Sequence, residues 1–195
     1  MHNLAAFLTY AVVTTFTPGP NNIMAMTNAG KHGFRRSLPF CLGVGAGFLL
    51  ILGACVAFSA ALYSALPKVQ PVMTALGAAY MLWLAWKVWR SKPGTHGEEK
   101  THLGFFAAMA LQFVNPKGIL YGITIATTFL QPGTLGVPAL AGVTVFLAFL
   151  GTVSTACWAL GGSLFQQLFQ RHARAVNAIM ALLLVYCAVS LFLPH

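Results

Sequence analysis

Two short stretches carry most of the chemistry in this sequence: Thr17-Pro18-Gly19-Pro20-Asn21-Asn22 and Asn115-Pro116-Lys117. Each lies within an apolar run. Proline has no N–H to donate and its ring clashes with the preceding turn, so Pro18 and Pro20 around Gly19 are expected to open one helix, and Pro116 to interrupt another. Asn115 before Pro116 is the N-cap and N1 pairing of a helix start, and Pro20 can begin the second part of the first helix in the same way. Such starts offer free N–H groups and a positive dipole end to an anion. Lys117 adds a full charge. A lysine at the bilayer centre costs about 2.5 to 3.5 kcal/mol on insertion scales, and such residues are rare unless a pathway or partner uses them. The apolar residues on both sides of Lys117 make snorkelling to the interface the weaker account.

What neutralises that lysine decides the chemistry. Glu98 and Glu99 are the only carboxylate side chains in the chain and neither falls in an apolar run, so an internal salt bridge is not available. The carboxylate of a passing substrate fits. Unwound carbonyls before each break, around Phe16 and Val114, would accept hydrogen bonds from an ammonium group, so a small zwitterionic amino acid satisfies both ends. A cationic substrate would want an intramembrane carboxylate. Asn21, Asn22, Gln112 and Tyr121 are candidate polar contacts, although Asn and Gln also serve as plain interhelical hydrogen-bond partners. The candidate substrate-binding set is therefore Pro18, Gly19, Pro20, Asn21, Asn22, Gln112, Asn115, Pro116, Lys117 and Tyr121. The competing reading of each proline is a simple kink. Three breakers together, recurring in register, weigh against it.

The elements that position these residues follow from composition. Of 195 residues 58% are hydrophobic and 7% charged, and the mean hydropathy is +0.77. A soluble domain carries roughly 25% charged residues, so a soluble enzyme is excluded, as are disorder and collagen. An apolar stretch of about 20 residues crosses the roughly 30 Å hydrocarbon core as a helix. Six are expected: Leu4 to Ala29, Leu38 to Leu66, Val69 to Trp86, Leu103 to Leu130, Val137 to Phe165 and Ala175 to Leu193. The first lacks the basic n-region and cleavage site of a signal peptide and is expected to be retained. Lys31, Arg35, Arg36, Lys87, Arg90, Lys92, Lys100, Arg171 and Arg174 fall on one side and only Lys68 on the other. Basic loops stay in the cytoplasm, which places both termini on the opposite, periplasmic side.

Residues 91–102 (SKPGTHGEEKTH) read as a cytoplasmic linker between two three-helix halves, 1–90 and 103–195. Pro18 and Pro116 are 98 residues apart, half the chain. An odd number of helices per half forces opposite orientations, and discontinuous helices at matching positions of inverted halves point to a transporter's midplane site. The fold class is thus an all-α membrane protein of six spans in two inverted halves, with helices 1 and 4 broken.

Other features read more blandly. The net charge of +9 comes from scattered loop bases, which does not suggest nucleic-acid binding. Cys41, Cys55, Cys157 and Cys187 fit no zinc or CxxC spacing and are expected to be buried small hydrophobes. No metal or cofactor is called for. Gly43, Gly45 and Gly47 suit close helix packing better than a nucleotide loop. Trp83, Trp86 and Trp89 beside Lys87 and Arg90 read as an interfacial belt.

FTPGPNNIMAMTNAGKHGFRRSLPFCLGVGAGF, LGAAYMLWLAWKVWRSKP and LQFVNPKGILYG resemble the signature regions of the LysE/RhtB amino-acid exporter family, and the similarity runs over essentially the whole chain. The resemblance implies a non-enzymatic inner-membrane efflux carrier driven by the proton gradient, with Pro18, Gly19, Pro20, Asn115, Pro116 and Lys117 near the pathway. It implies neutral amino acids of the cysteine or O-acetylserine kind as cargo and membrane lipid as surroundings, and leaves a homo-oligomer open. The alternatives are threonine or homoserine as cargo within the same family and, in another class, a membrane thiol-redox enzyme using the cysteines.

Overall fold

The structure is a computed structural model that describes residues 4–90, 104–130, 135–164 and 172–190. The expected linker 91–102, both chain ends and the bases Lys92, Lys100 and Arg171 lie outside the described residues. Within them the chain is helical, with no strand. Eight α-helices are described: α1 (Leu4–Phe16), α2 (Pro20–His32), α3 (Phe34–Ala57), α4 (Ser59–Arg90), α5 (Phe105–Leu111), α6 (Pro116–Thr124), α7 (Val137–Leu164) and α8 (Ala173–Ser190). A 3-10 turn, Gln112–Val114, extends α5, and a π-helical turn, Ile125–Phe129, extends α6.

Both expected interruptions are present. α1 stops at Phe16 and α2 restarts with Pro20 at its first position, and the α5 segment stops before Asn115 and α6 restarts with Pro116. Two described helices, α3 and α7, are long and apolar enough to cross a membrane. The breaks explain why the others on either side of them fall short: each divides an apolar stretch into pieces of 13 residues or fewer.

One boundary differs from expectation. The turn expected near Lys68 is absent; α4 runs unbroken from Ser59 to Arg90, through Pro67 and Pro71, and the chain leaves α3 at Phe58 with φ −103° and ψ 17°. Neither Gly nor Pro marks that bend, whereas Pro67 and Pro71 both lie within a helix. The opposite case is Gly33, between α2 and α3, whose φ of 86° and ψ of 162° fall where only glycine is comfortable.

Packing between these helices relies on close backbone approach, because lipid removes most of the hydrophobic drive for helix association. α3 and α7 cross at the centre, where Gly45 faces Thr152. Gly43 and Gly47 let the backbone of α5 approach α3 at Phe105 and Met109, and Gly162 lets α7 meet the backbone of α2 at Met26. The packing role expected for Gly43, Gly45 and Gly47 is what the structure has. α4 packs chiefly along α8. At the end of α4, Lys87 Nζ lies 5.3 Å from the Trp83 ring centre and Arg90 Cζ 4.8 Å from that of Trp86. Of the cysteines, Cys41, Cys55 and Cys187 are buried, but Cys157 is exposed, on an outward face of α7, correcting the expectation for that residue.

Candidate functional site

The two breaks meet. Lys117, at the start of α6, extends its side chain to the end of α1, where Nζ donates to the Thr17 carbonyl (2.8 Å), the Thr17 hydroxyl (3.0 Å) and the Pro18 carbonyl (3.3 Å). A helix C-terminus carries partial negative charge, so an ammonium is well placed there. The approach needs Gly19 to lack a side chain, since a methyl at that position would come within 2.8 Å of Lys117 Cδ.

An interrupted helix leaves its last carbonyls without intrahelical donors. Here side chains from several helices supply them. The Thr15 carbonyl accepts from Asn22 Nδ2 and Ser154 Oγ, both at 3.0 Å. That of Phe16 accepts from Trp158 Nε1 at 3.2 Å. The Thr17 carbonyl accepts from Asn22 Nδ2 (3.0 Å) as well as from Lys117, and the Pro18 carbonyl from Cys187 Sγ (3.2 Å) as well as from Lys117. Thus the Phe16 carbonyl, expected to await a substrate ammonium, already has a donor, and the lysine, for which no internal salt bridge was expected, is held by neutral oxygens. Ser154, Trp158 and Cys187 were not among the sequence candidates; a serine and an indole in an otherwise apolar helix were the only signal for the first two.

The second break is braced by amides. Gln112, fully buried, exchanges two hydrogen bonds with Asn21: Asn21 Nδ2 donates to Oε1 at 2.7 Å and Gln112 Nε2 donates to Asn21 Oδ1 at 3.1 Å. Nε2 also donates to the Ala108 carbonyl (2.9 Å), and Asn115 Nδ2 donates to Oε1 (3.3 Å). Asn115 occupies the N-cap position of α6, with φ −81° and ψ 103°, but its side chain makes no cap hydrogen bond.

Between the two breaks lies a cavity of about 50 Å3. That is room for a few water molecules. Of the candidate residues, Gly19, Pro20, Asn21, Asn22, Asn115, Lys117 and Tyr121 line it. Pro18, Gln112 and Pro116 do not; they shape the two breaks and brace the lining residues. The remaining wall is Thr14, Thr15, Val44, Phe48, Gly118, Gly151 and Thr155, which no single motif announced. Asn21 and Asn22 on one side, Lys117 and Gly118 on the other, are the first-turn residues of α2 and α6 whose N–H groups precede the first intrahelical bonds, those of Ile23 to Gly19 and Ile119 to Asn115. Two helix starts therefore border one cavity. Three buried oxygens on residues lining it, Thr15 Oγ1, Asn115 Oδ1 and the Tyr121 hydroxyl, have no hydrogen-bond partner. Among the described residues no cluster of His, Cys, Asp and Glu could hold a metal ion.

Residues 12–194 match the family described as LysE type translocator. The chain belongs to the LysE translocator family. It is 46% identical over 189 residues to proteins named cysteine/O-acetylserine efflux protein from Escherichia coli (strain K12) and Shigella sonnei (strain Ss046), an alignment covering 97% of this chain and 97% of each relative. No solved structure matches. In this translocator the cavity between the two broken helices is thus the feature against which a transported solute must be tested.

Proposed function

We propose that the protein is a bacterial inner-membrane carrier that exports small neutral amino acids of the cysteine and O-acetylserine kind by alternating access, with the proton gradient as its drive. The observation that carries this reading is the cavity itself: it is bordered by two helix starts and an ammonium, and its lining residues hold three buried oxygens without partners. A carboxylate seated beside Lys117 receives a charge-assisted hydrogen bond from Nζ and the first-turn N–H groups of α2 and α6. The ammonium of the same solute finds acceptors in Thr15, Asn115 and Tyr121. Each end of a zwitterion so replaces water with fixed dipoles, and neither requires a carboxylate from the protein. The substrate-binding residues in this reading are the seven sequence candidates that line the cavity, with Pro18, Gln112 and Pro116 holding them in place. The relatives named as cysteine/O-acetylserine efflux proteins support the cargo class.

The transport cycle rests on two inverted three-helix halves, residues 1–90 and 103–195 joined by a cytoplasmic linker at 91–102. The described helices fall into six stretches, counting each broken pair as one. Exchanging α1 with α5, α2 with α6, α3 with α7 and α4 with α8 maps several packed pairs onto one another: α3 on α5 becomes α7 on α1, and α2 on α7 becomes α6 on α3. That exchange supports a pseudo-twofold relation, and the gathering of basic residues in alternate loops supports periplasmic termini.

The test is efflux of labelled cysteine, O-acetylserine, threonine and lysine from proteoliposomes, with and without a pH gradient. Export of the first two, faster with the gradient and well above lysine, is expected. Equal or faster threonine efflux would shift the assignment to the threonine and homoserine type. The thiol-redox alternative requires the cysteines, so full efflux after replacing all four with serine or alanine removes it.

A further inference from the structure

The polar end of the cavity is matched by an aromatic wall. Phe48, on α3, is 7% exposed and lines the cavity with its ring held between two glycines of other helices. A methyl at Gly151 of α7 would come 3.0 Å from Phe48 Cδ1 and 3.3 Å from Cε1, and one at Gly118 of α6 would come 3.7 Å from Cε2. A third neighbour fixes the ring further: its centre lies 5.4 Å from that of Tyr121, with the planes tilted by 40°. The ring is thus backed by α6 and α7, and its open side is the cavity that it lines. The space left for a side chain is therefore set by where this one ring stands.

The geometry points to Phe48, seated against Gly118 and Gly151, as the residue that limits the bulk of the exported side chain: slender ones pass and branched or aromatic ones are rejected by the ring. This deepens the proposed function and rests on it. It also assigns a distinct role to the two glycines, since Gly118 belongs to the broken helix and Gly151 to the central crossing. A substituent at Gly151 would push the ring toward the cavity, whereas truncating Phe48 would open a space of the ring's own shape.

The experiment is efflux from proteoliposomes loaded with labelled cysteine, leucine or phenylalanine, comparing the wild type with Phe48→Ala, Phe48→Leu and Gly151→Ala. The expected result is a rise of about tenfold or more in the phenylalanine-to-cysteine ratio for Phe48→Ala, a smaller rise for Phe48→Leu, and a fall in the leucine-to-cysteine ratio for Gly151→Ala. A structural role alone would lower all rates together and leave the ratios unchanged. Wild-type cysteine export with unaltered ratios in the folded variants would overturn the inference while leaving the carrier reading intact. Should Phe48→Ala not fold, the ratio in Phe48→Leu decides between the same two outcomes. Absence of amino-acid efflux from the wild type would overturn the carrier reading, and with it the inference.

Discussion

Lys117 reaches from α6 to the carbonyls of Thr17 and Pro18 at the end of α1. A cation with apolar neighbours on both sides was legible because a charge within an apolar run is costly and rare unless a partner uses it. Its partners were not, because backbone carbonyls leave no trace in residue type, and only the fold brings Thr17 and Pro18 beside Nζ. On the proposed reading, a substrate carboxylate would compete with these oxygens for the ammonium. Replacing the charge by an isosteric apolar chain, Lys117→Met, is expected to lower cysteine efflux by about 100-fold, in line with losing one hydrogen bond to a charged group of roughly 1.5 to 3 kcal/mol. Thermal unfolding in detergent should show the variant still folded. The contact between Gly19 and Lys117 is a gentler probe. In Gly19→Ala the new methyl displaces a flexible side chain rather than backbone, so the KM for cysteine should rise several-fold while Vmax changes little.

At the level of elements, the breaks were readable because proline chemistry is local. The Phe58 bend was not, since nothing in its type or that of its neighbours requires a turn there. The brace at Gln112 lies between these cases: its amide was visible as a polar residue in an apolar run, yet the reciprocal bonds with Asn21 join residues 91 positions apart. Gln112→Leu strands the carboxamide of Asn21 and removes a partner of Asn115. A loss of about 1 to 3 kcal/mol is expected for buried groups left unpaired, read as a lower unfolding temperature in detergent, with transport lost alongside. The glycine crossings behave differently. In Gly162→Val the new side chain meets the α2 backbone at Met26, and overpacking of this kind costs about 1 to 3 kcal/mol. At Gly53, where nothing lies within 4 Å, Gly53→Ala should be silent in the same assay.

For the whole molecule, composition alone placed the chain in a membrane, because so few charged residues cannot coat a soluble surface. Orientation rests on the distribution of bases, and the described ones at the end of α4 sit beside exposed tryptophans as an interfacial belt requires. A C-terminal alkaline phosphatase fusion should be active and a C-terminal green fluorescent protein fusion dark; the reverse pattern would count against six spans with external ends. The side chains of Ser154, Trp158 and Cys187 were beyond sequence reading for a physical reason: each acts through a carbonyl more than 100 residues away in the chain.

The frayed end of α1 gathers donors from α2, α6, α7 and α8, and one of those donors is the amine that a cargo's acid group would claim. On the proposed reading, loading would draw one donor away from a knot to which four other helices are tied, so that filling the site and releasing its brace would be one event.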